Sequence, residues 1–409
     1  MPFDPSRRIF LKGAGAAAVG LGFAPSALLT RAAEAAGVGS RVLVQVFLRG
    51  GADGLNLCVP HGDASYYGLR PSIALRLADG VRDLDGFFGL HPGLAALRDL
   101  YSEGLLALHP TIGNAQLSRS HFDAQDFMDG AAPGDKTVHD GWLDRVARQV
   151  PGEDVMQLVA LASRTPRSVL GPHPELVLQD LATFSVRAGT GGAAWSAEAD
   201  QLLRGMHASG STPVYESGRA VFSAIDRIRT TPALSAAPAN GAVYPGGTVG
   251  SGLRQAAQLI RADIGTRAIY VNVPGSFDTH ANQLAANAAE YPSLAAALVA
   301  FRRDLGPRIE DVLLMVTTEF GRTAAQNGSA GTDHGFAHCG LFLGGSVRGG
   351  RVHGAWPGLS SGSLNEGRDL RYTLDFRDVF LSAARWLGVS DLSQVVPRYT
   401  PAGDPGLFA

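Results

Sequence analysis

Arg41-Val-Leu-Val-Gln-Val-Phe-Leu48 is an apolar, largely β-branched run, followed directly by Arg49-Gly50-Gly51-Ala52-Asp53-Gly54. A run of this kind with a glycine turn behind it predicts a buried strand of a parallel sheet. Further strands are predicted at 105–108, 155–161, 266–273 and 311–317, and helices at 91–103, 291–305 and 374–387. Strands that alternate with helices predict an α/β fold, in which helices cover both faces of a mostly parallel sheet in three α/β/α layers.

The first 35 residues predict an export signal. Ser6-Arg7-Arg8-Ile9-Phe10-Leu11-Lys12 matches the twin-arginine (Tat) pattern, an apolar run rich in glycine and alanine follows at 13–29, and Ala33-Glu34-Ala35 offers small residues to a signal peptidase. We therefore expect export by the Tat translocase to the periplasm or the medium. An uncleaved N-terminal membrane anchor is the alternative.

The remaining residues, 36–409, predict one α/β domain. Two stretches rich in small residues and proline, 187–193 and 232–252, predict mobile loops around a helical segment at 196–230. Together they predict a helical and loop insertion at about 187–252. This insertion either covers the site as a lid or only pads the fold.

Composition excludes several classes of partner. The chain has 409 residues, of which 45% are hydrophobic and 18% charged, with a formal net charge of −2. This describes a globular protein without the basic surplus that nucleic acid or an acidic membrane would attract. Since no other apolar run reaches about 18 residues, we expect no stable membrane insertion. Cys58 and Cys339 either form a disulfide or are two buried thiols, and the sequence leaves both open.

Polar residues gather after the predicted strands. Asp53, Asp278, His280 and Glu319 each follow a strand within a few residues. In an open parallel sheet, the loops beyond the carboxyl ends of the strands line the ligand crevice, so distant residues converge there. A second group lies in the polar loops 118–123 and 331–338, which include Ser118, Ser120, Asp333 and His334.

Carboxylates mixed with imidazoles predict a divalent metal site. Such a donor set suits zinc, manganese or iron, and the extra carboxylates admit magnesium or calcium. The candidate ligands are Asp53, Asp278, His280, Glu319, Asp333 and His334. Structural alternatives stay open: Asp53 as a helix cap, Asp278 with His280 as a brace of one loop, and Glu319 with Arg322 as an ion pair.

Several motifs resemble one family of Tat-exported bacterial proteins, the domain-of-unknown-function family 1501. They are Leu48-Arg49-Gly50-Gly51-Ala52-Asp53-Gly54, Ser120-His121-Phe122-Asp123, Phe277-Asp278-Thr279-His280, Thr318-Glu319-Phe320-Gly321-Arg322 and Gly331-Thr332-Asp333-His334-Gly335. That family in turn resembles a distant branch of the alkaline phosphatase and sulfatase superfamily. The resemblance implies an alkaline-phosphatase-like fold.

The same resemblance implies roles for individual residues. Asp53 matches the first metal ligand, Asp278 and His280 the middle pair, and His334 the late ligand, while Ser120 or Ser118 stands where the nucleophile belongs. Glu319-Phe320 occupies the position of an expected Asp-His pair. This departure removes one imidazole and implies that a single metal site remains. A Cys-x-Pro-x-Arg signature is absent, which disfavours a formylglycine sulfatase.

The expected function is a metal-dependent hydrolase of phosphate or sulfate esters that acts on a small anionic substrate. Arg119 or Arg322 would balance the anionic oxygens. The alternative is a non-catalytic exported binding or assembly protein that keeps the fold. A redox or copper-handling protein is disfavoured because the chain has only five Met and two Cys.

Replacing both Arg7 and Arg8 by lysine should leave the precursor in the cytoplasm, because the export route recognises the guanidinium pair. The measurement is fractionation followed by detection of the precursor and the mature chain. Normal accumulation of the double variant in the periplasm would show that residues 1–35 are not a twin-arginine signal.

Overall fold

The computed structural model of the chain describes residues 41–409 apart from 117, 153, 188–191 and 276. The predicted signal peptide at 1–35 lies outside the described residues. The described part is an α/β structure built on a large mixed sheet in which most neighbouring strands are parallel. This confirms the predicted α/β class with a mostly parallel sheet.

The strands are β1 Val42–Arg49, β2 Cys58–Val59, β3 Arg82–Asp83, β4 Gly89–Leu90, β5 Leu106–Gly113, β6 Leu158–Leu161, β7 Leu176–Leu178, β8 Ala268–Pro274, β9 Val312–Thr318, β10 His338–Leu343, β11 Arg351–Val352 and β12 Leu374–Asp375. The large sheet has the order β11-β5-β10-β9-β1-β8-β6-β7, with β12 also paired to β5. Strand β10 runs antiparallel to both of its neighbours, whereas the other pairs are parallel. Strands β2, β4 and β3 form a small antiparallel sheet.

The helices are α1 Gly54–Leu57, α2 Ala64–Leu69, α3 Leu97–Ser102, α4 His121–Gly130, α5 Trp142–Ala147, α6 Gly192–His207, α7 Pro213–Thr230, α8 Gly247–Ala262, α9 Gln283–Leu305 and α10 Phe376–Leu387. Short 3₁₀ helices occupy Leu77–Asp79, Pro92–Leu94, Arg167–Val169, Leu181–Thr183, Pro232–Leu234, Gly306–Asp311 and Leu392–Gln394.

Helices cover both faces of the large sheet. Alternate residues of β1 point to opposite faces, as the strand pleat requires. Val44 packs in the same core cluster as the buried sides of α3, α8 and α9. Leu43 and Phe47 pack in a second cluster with α5 and α10, where Trp142 stacks on Phe380 at 4.1 Å between ring centroids. The polar Gln45 is buried in β1 because its Oε1 accepts a hydrogen bond from Trp142 Nε1 at 3.0 Å.

Some predicted boundaries were wrong. The stretch 232–252 was predicted to be a loop, but helix α8 begins at Gly247. Its apolar positions, among them Val249 and Leu253, are buried against the sheet, and this burial outweighs the low helix propensity of glycine. The helix predicted at 91–103 is shortened to α3 because Pro92–Leu94 forms a 3₁₀ turn. Cys58 and Cys339 are buried free thiols.

The segment Gln283–Asp311 is long and apolar enough to cross a membrane by length and composition alone. In the structure, however, α9 places Leu294, Leu298 and Phe301 in the core beside the sheet. The apolar side of the helix is therefore buried in the interior of the protein.

The topology collects several loops at one edge of the sheet. Strands β1, β5, β6, β8 and β9 are parallel to one another, so their carboxyl ends lie at the same edge. Because β10 runs the other way, the loop that precedes it also meets this edge. The loop is held there by backbone hydrogen bonds: Gly321 N donates to Phe336 O at 2.8 Å, and Gly335 N donates to Gly321 O at 2.9 Å.

Replacing Gly321 by alanine should destabilise the protein by about 1–3 kcal/mol or more, because the new methyl group would lie 1.7 Å from Ala337 O. Gly328→Ala is the matched control, since a Cβ there meets no atom within 4 Å. The measurement is the free energy of unfolding in urea. Equal stabilities of the two variants would contradict the close packing of the 331–337 loop on the end of β9.

Candidate metal centre

Four histidine and aspartate side chains meet at the carboxyl edge of the sheet. Asp278 follows β8, and His280 lies two residues further on. His121 is the first residue of α4, whose N-terminus is capped by Ser120. His334 lies in the loop that leads into β10. Three different parts of the chain thus supply these side chains.

The ligand atoms are close enough to share an ion. One ligand atom each from His121, Asp278 and His334 lie within 4.8 Å of one another, so this group could hold a metal ion. His280 adjoins the group, because its Nε2 lies 3.0 Å from Asp278 Oδ1 and 3.0 Å from His334 Nε2. The carboxylate of Asp278 is 45% exposed, which keeps the group open to solvent.

Each of the three imidazoles is oriented by a hydrogen bond at its Nδ1 atom, on the side of the ring away from Asp278. His121 Nδ1 lies 2.8 Å from Glu319 Oε1, His280 Nδ1 lies 3.1 Å from Asp333 Oδ1, and His334 Nδ1 lies 2.8 Å from Arg119 O. A carbonyl or an ionised carboxylate only accepts, so each Nδ1 carries the proton. In the neutral rings the Nε2 atoms then present their lone pairs toward Asp278. This is the arrangement of histidines that ligate metals in proteins.

Glu319 is saturated with hydrogen bonds from the chain. Its carboxylate accepts from Gly50 N at 2.9 Å, Gly51 N at 3.1 Å, His121 Nδ1 at 2.8 Å, Gln125 Nε2 at 2.8 Å and Thr318 Oγ1 at 2.9 Å. Burial alone would raise the pKa of Glu319, but these hydrogen bonds outweigh it and lower the pKa to about 2. The structure therefore places Glu319 behind His121, as the group that orients this imidazole.

Two glycines make the contact with Glu319 possible. Gly50 and Gly51 have φ values of +116° and +65°, a backbone conformation that residues with a Cβ rarely adopt. In this conformation their consecutive N–H groups point to the same carboxylate and together form a small anion-binding nest. A Cβ at Gly51 would also lie 2.5 Å from the ring of Phe320.

Arg322 fixes Asp278. Its guanidinium donates to Asp278 Oδ1 at 2.6 Å and to the backbone oxygens of Gly51 at 2.7 Å and Phe277 at 3.0 Å. Burial raises the pKa of Asp278, but Arg322 and the neighbouring histidines have the larger combined effect and lower the pKa to about 2. The ion pair considered between Glu319 and Arg322 is replaced by the pairs Glu319–His121 and Arg322–Asp278.

The structure does not bring Asp53 into the group formed by His121, Asp278, His280 and His334, which is called the metal group below. Both Asp53 oxygens are paired with Arg70, at 2.5 and 3.0 Å, and Gln283 Nε2 also donates to Oδ2. Its Oδ1 accepts a hydrogen bond from Leu55 N at 3.2 Å. Asp53 is therefore the N-cap of α1, which is the structural alternative considered for it. Both Asp53 and Arg70 are almost completely buried, and removal of either partner would leave a buried charge uncompensated.

The remaining predicted residues surround the group. Asp333 lies behind His280 and also accepts from Asn327 Nδ2 at 3.2 Å. The guanidinium of Arg119 is paired with Asp369 and Glu366, at 2.6 and 2.7 Å, so only its backbone oxygen faces the histidines. Ser120 caps α4 through its hydroxyl oxygen. Ser118 instead lines a small cavity of about 10 Å³ together with Glu319.

His121 was not predicted as a ligand. It does not follow a strand, so the rule that selected Asp278, His280 and Glu319 missed it, although it stands in the polar loop 118–123. The available signal was the serine before it: a serine at a helix N-cap predicts that the next residue starts a helix at the loop's end. Gln125, one turn further along α4, was also missed, and it connects Glu319 to Arg49 through a hydrogen bond of 2.8 Å.

One family model matches the chain over residues 120–399, more than half of its length, and is described as a protein of unknown function (DUF1501). The chain therefore belongs to the DUF1501 family. The matched range includes all four residues that meet at the metal group, His121, Asp278, His280 and His334. A search of the curated proteins found no match to the chain.

Replacing Glu319 by glutamine should destabilise the metal-free protein, and more strongly at neutral than at acidic pH. The pKa of Glu319 in the folded protein, about 2, lies below the ordinary value of 4.5. The ionised carboxylate therefore stabilises the folded protein fully above pH 4.5, and this contribution is lost as the pH falls toward 2. The destabilisation should be smaller at pH 3 than at pH 7 by about 2 kcal/mol.

The measurement is urea unfolding of the wild type and the variant at both pH values with a chelator present. Glu198→Gln, an exposed position on α6, is the control. A destabilisation by Glu319→Gln that is independent of pH would contradict the buried, hydrogen-bonded carboxylate.

Proposed function

We propose that this DUF1501 protein is a metal-dependent hydrolase of phosphate or sulfate esters that works at the group formed by His121, Asp278, His280 and His334. The observation that carries the proposal is the common orientation of the three imidazoles. Each Nδ1 is held by an acceptor, and each Nε2 is directed toward the carboxylate of Asp278.

The donor set fits a divalent ion. Nε2 of His280 and Nε2 of His334 lie 3.0 Å apart, and Nε2 of His334 lies 3.1 Å from Asp278 Oδ1. Ligand atoms at about 2.0–2.2 Å from a tetrahedral zinc ion are separated from one another by roughly 3.3 Å, so these two distances need only small shifts. The ligand atoms of His121, Asp278 and His334 all lie within 4.8 Å of one another. Three imidazoles and one carboxylate suit zinc, manganese or iron better than magnesium or calcium.

A bound ion would supply a Lewis acid that polarises the ester oxygen and lowers the pKa of a serine or water nucleophile. The chain supplies the ion's position and the field around it. Arg322 and Arg119, which were expected to balance the anionic oxygens, are both engaged by carboxylates of the protein. The N-terminus of α4, which begins at His121 beside the group, adds a positive field.

Ser120 is the nucleophile that this geometry favours. It is the residue before the ligand His121 and stands at the N-terminus of α4, where the helix dipole stabilises a developing alkoxide. Ser118 lines the small cavity beside Glu319, which has room for about one water molecule. Ser120 is therefore preferred to Ser118, and a water molecule is the alternative to both.

A non-catalytic binding or assembly protein is the second candidate. It is favoured by one observation: in the described part of the chain a single group of three or more residues has the geometry of a metal site. The alkaline-phosphatase-like ancestry, the twin-arginine export and the periplasmic location belong to the proposal in either case. They rest on the motifs of the sequence.

Replacing His334 by alanine should lower the affinity for zinc at least about 100-fold, because the ring supplies one of the ligand atoms. His139→Ala is the matched control, since His139 is exposed and lies outside the group. Calorimetric titration of the chelator-treated proteins with Zn²⁺ and Mn²⁺ measures the effect. Equal zinc affinities in the two variants would contradict the proposal that His334 and its neighbours bind the metal.

Hydrolysis of 4-nitrophenyl phosphate and 4-nitrophenyl sulfate by the zinc- or manganese-loaded wild type separates the two candidates. Turnover that is lost in both His334→Ala and Ser120→Ala supports the hydrolase with a serine nucleophile. Turnover that survives in Ser120→Ala but not in His334→Ala assigns the attack to water. Tight metal binding without turnover of either ester favours the binding protein.

A further inference from the structure

An open cleft of about 380 Å³ lies at the carboxyl edge of the sheet, between the ends of β6 and β8 and the start of α8. Its volume falls at the lower end of the range for small-molecule sites, about 300–1,000 Å³. The polar side chains that line it are all uncharged: Ser163, Gln179, Thr248, Ser251, Gln255 and Asn272.

The cleft begins next to the metal group. Pro274, on its rim, is the strand partner of Arg49 across the β1–β8 pair. The next residue, Gly50, donates to Glu319 and packs so closely on the backbone of Asp278 that a Cβ would lie 2.9 Å from Asp278 N. Because neighbouring strands are about 4.8 Å apart, the rim of the cleft lies one strand and one residue away from the backbone that carries Asp278.

The lining selects for a particular chemistry. Among the described residues that line the cleft there is no aromatic ring to stack on a base and no charged side chain to pair with an ion. In the described part of the chain the side chains of Ser163, Gln179 and Thr248 have no hydrogen-bond partner, so their donors and acceptors are available to a ligand. Hydroxyl and amide groups in this number match a ligand that carries several hydroxyl groups.

Two of the polar side chains are held in place by the protein. Asn272 Oδ1 accepts from Arg49 Nε at 3.0 Å, which directs the amide oxygen to the protein and leaves its NH₂ group for a ligand. Gln255 Nε2 donates to Gln179 O at 3.1 Å and to Ser251 Oγ at 3.2 Å, while its Oε1 accepts from Leu181 N. Side chains that are fixed before binding lose less conformational freedom when the ligand arrives.

We propose that this cleft binds the alcohol portion of the substrate and that this portion is a sugar or another small polyol. The inference rests on the proposed function and deepens it: the substrate class becomes the phosphate or sulfate ester of a carbohydrate. The anionic ester group lies at His121, Asp278 and His334, and the hydroxyl groups of the alcohol bind Thr248, Gln179 and Asn272.

The test compares two esters in the metal-loaded protein. The sugar ester is glucose 6-phosphate or glucose 6-sulfate, and the reference is the corresponding 4-nitrophenyl ester, whose leaving group has no hydroxyl to bind. Thr248→Val keeps the shape of the side chain and removes its hydroxyl. Thr400→Val, at an exposed position far along the chain, is the matched control.

Thr248→Val should lower kcat/KM for the glucose ester roughly five- to tenfold and change kcat/KM for the nitrophenyl ester less than twofold, because only the first ester loses a hydrogen bond. An additional Gln179→Ala change should increase the loss for the glucose ester alone. Equal effects on both esters, or no effect on either, would overturn the assignment of the cleft.

A binding measurement keeps this inference separate from the proposed function. If the wild type hydrolyses none of these esters, the hydrolase proposal fails, and calorimetric titration with glucose 6-phosphate then decides on the cleft. Affinity that falls in Thr248→Val and is unchanged in Thr400→Val supports a polyol site beside the metal group. Affinity that is the same in all three proteins, or absent in the wild type, overturns it.

Discussion

The carboxylate of Glu319 is the constraint on which the rest of the site depends. It is buried, it accepts five hydrogen bonds, and these come from the end of β1, the end of β9 and helix α4. A buried charge is tolerated only when its lone pairs are satisfied, so these three segments must come together around it. Because His121 is one of the donors, the same interaction that assembles the segments also sets the direction of the His121 ring, which is a candidate metal ligand.

Arg322 forms a second clamp of opposite charge. Its guanidinium, buried to 1% exposure, binds backbone oxygens of the β1 turn and of the segments before Asp278 and Asp333, and it holds Asp278 itself. Glu319 and Arg322 thus fix the two sides of the metal group without contact between them. The candidate ligands are thus positioned by the fold itself, and a site that is fixed in advance loses less entropy on binding.

The sequence predicts the scaffold of this site better than its contacts. The strands before Asp53, Asp278 and Glu319 follow from apolar runs with turns behind them, and parallel topology places Asp278, His280 and Glu319 at one edge of the sheet. His334 reaches the same edge because β10 runs antiparallel to its neighbours, which the sequence pattern does not reveal. The partner of Asp53 could not be predicted in this way, because Arg70 follows the short helix α2, which has no clear apolar period. Nor does the pattern reveal that Glu319 is saturated, since this depends on the positive φ angles of Gly50 and Gly51.

The central claim is that His121, Asp278, His280 and His334 hold one divalent ion. The most direct measurement is anomalous diffraction at the metal absorption edge from crystals of the protein loaded with zinc or manganese. The account predicts a single strong anomalous peak about 2.0–2.2 Å from the Nε2 atoms of the histidines and from an oxygen of Asp278, with Glu319 still bonded to His121 Nδ1. A peak at another place on the protein, or a crystal with full exposure to the ion and no peak at this group, would contradict it.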